Sequence, residues 1–242
     1  MLNPVSYIPV LSTLLCLVFS GVMFRRYLRR GRSPHLLWWT IGIFVFGVGT
    51  FTEAWTTLFG WSETIFRSWY ISGALLGGAP LAQGTVYLLL KRRTANFLTV
   101  VVVTFICVAA LFVLVTPINA SLAEEHRLSG NVIEWTWVRA FSPFINTYAF
   151  IFLVGGAVYS ALRYQQRGDA TGKMWGNVVI AVGAILPGIG GGFTRAGYTE
   201  VLYVTEFIGI ILIYTGYRLN THAPGPSVHE IGASTHAASV SP

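Results

Sequence analysis

Phe24-Arg25-Arg26-Tyr27-Leu28-Arg29-Arg30-Gly31-Arg32-Ser33-Pro34-His35 is the stretch on which the reading of the whole chain turns. It follows a predominantly apolar run, Val5 to Phe24, and a second such run begins at Leu36. Five arginines within residues 25–32, caught between two runs of this length, mark a short loop held at one face of a membrane. Lys and Arg gather in such loops on the cytosolic side. The charge follows the first run instead of preceding it, the reverse of a cleavable signal peptide, so the run predicts a retained first helix that enters from outside.

Working outward from that loop, further apolar runs occupy residues 36–58, 65–90, 95–115, 141–162, 174–193 and 199–217. Each is near the 20 residues or so that a helix needs to cross the hydrocarbon core. With 54% hydrophobic and 10% charged residues, the 242-residue chain is too apolar to clothe a soluble domain. Alternate loops contain twelve of the sixteen Lys and Arg residues: those at 25–32, 91–93, 163–173 and 218. The other side receives Arg67, Arg127, Arg139 and Arg195 with Glu53, Glu63, Glu124, Glu125, Glu134, Glu200 and Glu206. The pattern predicts an all-α integral membrane protein of seven transmembrane helices, one domain over residues 1–218, followed by a disordered cytosolic tail at 219–242. The amino terminus is then outside and the carboxy terminus cytosolic, in a plasma (inner) membrane of bacterial type. Trp55, Trp61, Trp69, Trp135 and Trp137 fall near outer ends, as an interfacial aromatic belt would.

The arginine loop also has a copy. Arg26-Tyr27-x-x-Arg30-Gly31 with Trp38 recurs 137 residues later as Arg163-Tyr164-x-x-Arg167-Gly168 with Trp175. Gly49-Thr50-Phe51-Thr52-Glu53 likewise resembles Gly191-Gly192-Phe193-Thr194-Arg195. The copies predict a parallel 3+1+3 repeat: repeat A over about 5–93, an inverting linker helix over about 95–115, and repeat B over about 141–218. In helix count and repeat pattern this resembles the SWEET sugar transporters, the nicotinamide riboside transporters and the microbial opsins, a likeness of architecture without a shared motif.

Charged groups inside apolar spans cost about 2.5–3.5 kcal/mol at the helix centre and must therefore face protein or water. Glu53, Arg67, Arg195 and Glu206 are such groups, with Glu53 expected to pair with Arg67 or Arg195. On the last helix, Tyr203, Glu206, Ile210, Tyr214 and Tyr217 share one face, and Tyr70 shares a face with Arg67. Glu53, Arg67, Tyr70, Arg195, Tyr203 and Glu206 thus form the expected ligand pocket, open to the outside. Pro187-Gly188-Ile189-Gly190-Gly191-Gly192 predicts a broken sixth helix, and Pro80 a kink in the third; Pro80, Pro187, Gly188 and Gly190 are the expected hinges.

Lys91 and Lys173 lie at cytosolic ends, which excludes a retinal Schiff base, and the five histidines lie in loops or tail, which excludes bis-histidine haem in the bundle. Neither a zinc spacing nor an activated nucleophile is present, so no cofactor, metal or enzymatic reaction is expected. The basic residues are explained by topology, leaving the lipid bilayer and a small-molecule ligand as partners and no role for nucleic acid. The expected function is transport of a polar or zwitterionic solute, the alternatives being a non-transporting receptor that uses the same pocket or a structural, partner-binding membrane protein. Reporter fusions test the topology: a periplasm-active reporter should work after Gly60 and Gly130, and a cytosol-active one after Ala95, Gly168 and Asn220.

Overall fold

Proline opens the first two long helices where its missing N–H is no loss: Pro9 in the first turn of α1 (Ile8–Arg29) and Pro34 at the start of α2 (Pro34–Phe59). This computed structural model describes residues 4–166 and 171–222 of the chain. Six helical stretches are long and apolar enough to cross a bilayer: Pro4–Arg29, Pro34–Phe59, Arg92–Val115, Thr136–Gln166, Gly172–Thr194 and Thr199–Thr221. The chain is a helical membrane protein, and no strand occurs among the described residues.

The run expected as a third span is helical but interrupted. A short α3 (Glu63–Trp69) widens into a π-helical stretch over Tyr70–Leu76, the chain turns through Gly77 and Gly78, and α4 (Ala79–Leu89) restarts with Pro80 in its first turn. Proline has no N–H with which to continue the ladder from the preceding segment. A second π-helical stretch, Phe150–Val154, joins α6 (Phe141–Ala149) to α7 (Gly155–Gln166), and it sits inside a span that is otherwise continuous. Between these two interrupted segments runs α5 (Arg92–Val115). The chain closes with α8 (Thr171–Arg195) and α9 (Thr199–His222), so helix continues past residue 219; residues 223–242, the rest of the expected tail, lie outside the described residues, as do Arg167 and Gly168 of the repeat.

Packing follows a ring. α1 lies against α2 and α9, α2 against α3 and α4, α4 against α6 and α7, α7 against α8, and α8 against α9. α5 stands outside this ring, packed on the Tyr70–Leu76 stretch, α4 and α6. It leaves Phe97, Val100, Leu111 and Leu114 exposed, side chains for which lipid is the matching solvent. Buried polar groups tie it on. Gln83 of α4 donates to Thr99 Oγ1 at 2.6 Å and to the Ala95 carbonyl at 3.2 Å, both on α5. Tyr148 of α6 donates to the other side of the same amide at 2.5 Å, so one glutamine joins three helices.

α8 and α9 make the closest contact in the molecule, and glycine is the reason. Gly176, Gly183 and Gly190 recur every seven residues on α8; Gly176 faces Gly216, Gly183 faces Gly209, and Gly190 faces Leu202 and Thr205 of α9. A methyl group at Gly183 would stand 2.7 Å from the Gly209 carbonyl oxygen, and one at Gly216 would collide with that of Gly176. Such small-residue seams let two backbones touch in a membrane. They also correct the expectation of a broken sixth helix, because α8 runs unbroken through Pro187. Pro187 cannot bond the carbonyl of Gly183, and that oxygen instead lies against the Gly209 backbone of the neighbouring helix. The true interruption is at Gly77-Gly78. Substituting Gly183 by Val should destabilise the folded protein by about 3 kcal/mol or more, as overpacking against rigid backbone does. Gly191→Ala, whose new methyl meets nothing, should change stability by less than about 0.5 kcal/mol in the same thermal-unfolding assay.

Candidate functional site

Glu53 sits in the C-terminal third of α2 with a side chain only 3% exposed. The residues that bring it inward are small: Gly49, Thr50, Ala54, Thr56 and Thr57 of the same helix are also buried, so α2 can approach its neighbours closely. Trp69, the last residue of α3, donates its indole N–H to Glu53 Oε1 at 2.9 Å. Glu206 of α9 reaches the same place, and its carboxyl group meets that of Glu53 within hydrogen-bonding reach. Oε2 of each glutamate is buried and has no other polar partner. Two full negative charges about 4 Å apart would repel by about 4 kcal/mol at an effective dielectric constant of about 20.

The pair borders a cavity of about 780 Å³ inside the ring of helices. Its polar lining comes from Glu53, Trp69, Tyr70, Ser142, Asn146 and Glu206, and at one end from Ser129, Asn131 and Arg139 of the long loop 116–140. Interrupted backbone supplies the next part of the wall: Gly73, Ala74, Gly77 and Gly78 all line it. The Asn146 amide donates to the Ala74 carbonyl at 3.4 Å, supplying one of the partners that a π-helical turn leaves wanting. On the far side, Gly188, Gly191 and Gly192 of α8 face the space, and none of them would bring a Cβ within 4 Å of another residue. The cavity therefore owes part of its width to glycines that take no part in the seam. Away from the loop it ends at Phe46, Leu81, Leu153, Ile210 and Ile213, which belong to an apolar cluster with Cys16, Phe19, Met23, Leu36 and Ile43.

Of the six residues expected to bind a ligand, Glu53, Tyr70 and Glu206 are brought together at this cavity. Tyr203, one turn before Glu206, is buried but turns to a smaller pocket of about 290 Å³ lined also by Ser6, His126, Arg127 and Thr199. Arg67 is not brought to Glu53. It bonds Glu63 on its own helix, at 2.7 Å, and the backbone carbonyls of Val113 and Thr116 at the end of α5. It clamps α3 to α5, outside the cavity. Arg195 ends α8, and its side chain lies outside the described residues. The expected hinges divide as well: Pro80 restarts α4, Pro187 and Gly188 line the cavity within a continuous α8, and Gly190 belongs to the seam.

Two groups were not anticipated. Trp69, counted with the interfacial belt, is buried and holds Glu53, whereas Trp55, Trp135 and Trp137 are exposed as a belt requires. Arg139, read as an ordinary loop charge, lines the cavity and donates to Asn131 at 3.0 Å. Both depend on the loop 116–140 folding back: its Leu128, Val132, Ile133 and Val138 are fully buried among Phe66, Trp69 and Tyr70. Four apolar residues in a loop read as polar were the available signal. Comparison of the chain with protein families, with curated proteins and with solved structures gives no match, so the site is read from its own geometry. Trp69→Phe keeps an aromatic ring, though a smaller one, and removes the donor, leaving a buried carboxyl oxygen unpartnered. It should lower thermal stability by about 1–3 kcal/mol without changing helix content by circular dichroism.

Proposed function

We propose that the protein is a small-molecule transporter of seven membrane crossings, in which the interrupted segment 63–89 is the crossing that length and hydropathy alone do not count. The order of packing supports a 3+1+3 arrangement. Around the ring the crossings run first, second, third, fifth, sixth, seventh, with the fourth, α5, outside, so a half-turn carries α1 onto α6–α7, α2 onto α8 and α3–α4 onto α9. That is the relation the arginine motifs at Arg26 and Arg163 express in sequence. The arginine-rich loops then face the cytosol and the loop 116–140 faces out.

The observation that carries transport is the cavity: about 780 Å³, within the range of small-molecule sites, and walled in part by interrupted backbone. Non-helical backbone at membrane depth is tolerated where it lines such a space, and discontinuous helices at the binding site are the common device of secondary transporters. The carboxyl pair Glu53 and Glu206 suits a cationic or hydrogen-bond-donating part of a solute, and Arg139 with Asn131 and Asn146 suits an anionic or accepting part. A polar or zwitterionic solute fits this lining. The apolar cluster around Leu81 and Ile210 closes the cytosolic side, giving an outward-facing arrangement. We assign no catalytic step.

Counterflow into proteoliposomes with a panel of zwitterionic and polar solutes tests the reading. At least one solute should exchange saturably, and Gly191→Leu, which projects a side chain into open cavity, should cut the rate tenfold or more while unfolding at the wild-type temperature. Binding of a solute with no counterflow at any concentration would mean a receptor.

A further inference from the structure

We propose that the Glu53–Glu206 pair is a proton-binding site, holding one exchangeable proton between its two carboxyl groups, and that this proton is the ion coupled to solute movement through the cavity. The coupling half of the proposal rests on the transporter reading; the proton site stands without it. The argument begins with hydrogen-bond inventory. A carboxylate only accepts, so two carboxylates in contact cannot bond each other, whereas an acid and a carboxylate can. Here the two groups meet, each is buried on the oxygen Oε2, and neither Oε2 has another partner. One proton lets the two carboxyl groups share a hydrogen bond and removes half of the charge.

Among the described residues no cation pairs with either glutamate: the ion pairs are Arg67 with Glu63 and Arg127 with Glu124. The titratable and charged groups around the pair are Tyr203 on α9 itself, Cys16 on α1 and Tyr70 after α3, with Arg127 and Glu200 lying beyond them beside Tyr203 in the smaller pocket. Arg139 lines the same cavity, and α8 turns Thr194 and glycines to it, the Arg195 side chain lying outside the described residues. Trp69 donates its N–H to Oε1 of Glu53, and Oε2 is buried with no hydrogen-bond partner. Because both glutamates line the cavity, the proton exchanges with cavity water: it binds a carboxylate of the pair on arrival and leaves as a hydrated proton when the pair ionises.

Wild-type protein in liposomes should show a carboxylic-acid C=O stretching band in its infrared spectrum in neutral buffer, and transfer to deuterium oxide should shift it. The E53Q/E206Q double variant should lose the band and E134Q, altered in an exposed loop, should keep it. Dicyclohexylcarbodiimide, which attacks protonated carboxyl groups in apolar surroundings, should label Glu53 or Glu206 of the wild-type protein, located by peptide mass spectrometry, so the test does not require that the double variant fold. A wild-type spectrum without the band, a band that survives the double substitution, or label confined to exposed acids such as Glu63 and Glu134 overturns the proton site. With the exchanging solute of the counterflow panel, an imposed pH gradient should change the initial uptake rate several-fold in the wild type and leave E53Q/E206Q indifferent. Uptake insensitive to the gradient in a wild type that shows the band overturns the coupling, whereas a band without any transport would leave the proton site intact and remove the transporter.

Discussion

A carboxyl group between helices in a bilayer has no water to turn to, and every bond it needs must come from the protein. Glu53 is that group here. One of its oxygens takes the Trp69 indole of α3, and its carboxyl group lies against Glu206 of α9, so a single side chain on α2 bears on the relative placement of three helices. The same requirement shapes the interrupted segment, where turning the chain at Gly77-Gly78 frees backbone groups that have to be met locally. Asn146 reaches across from α6 to meet the carbonyl of Ala74 just before that turn, and the glycines themselves border the cavity. Polar satisfaction and the existence of the cavity are two sides of one constraint.

Much of the helical frame was legible because hydropathy and arginine placement act over whole segments. Six of the seven expected spans are helical stretches of the right length, and the seventh lies where its apolar run lies but is interrupted. What hydropathy could not decide was which glycine-proline stretch breaks. Both candidates have similar composition: Gly77-Gly78-Ala79-Pro80 in one and Pro187 with its four following glycines in the other. The difference is in the neighbours. The carbonyl that Pro187 leaves free rests on the glycine backbone of α9, so α8 keeps its course, whereas residues 77 and 78 face an open cavity and the helix stops. Partners across a seam are not written in the run itself.

At the site, the charges were findable because their burial is expensive, and Glu53 and Glu206 are indeed inside. Their partners were harder to find. Arg67 is the nearest candidate counterion for Glu53 along the chain, yet Glu63 is four residues before it, on the same face of the same helix, and an i to i+4 contact needs no tertiary structure at all. Trp69 is two residues farther on, which turns it to the opposite side of α3 and into the bundle. Position along the span, the only coordinate a hydropathy plot supplies, could not separate this tryptophan from those of the belt. Arg139 stayed hidden because it depends on a loop of about 25 residues that folds onto aromatic residues about 60 positions away, a long-range event with no periodic signature.

The two ends of the cavity are built from different materials, and this limits how its access could change. α8 and α9 touch backbone to backbone at Gly183, Gly209 and Gly216, with no side chain between them that could rotate out of the way. α1 meets α9 through side chains instead: Phe19 packs edge-on against Tyr214 with ring centres 5.0 Å apart, and Arg26 donates to the Tyr217 hydroxyl at 3.2 Å. Side-chain contacts of this kind have alternative rotamers and a fused glycine seam has none. On the proposed transporter reading, an opening at the arginine-rich end parts side-chain contacts such as those of α1 with α9 before it parts the α8–α9 seam. The copied Arg-Tyr motif, a mark of topology in the sequence, thus has one of its arginines, Arg26, at one of these side-chain junctions, bonded to Tyr217 of α9.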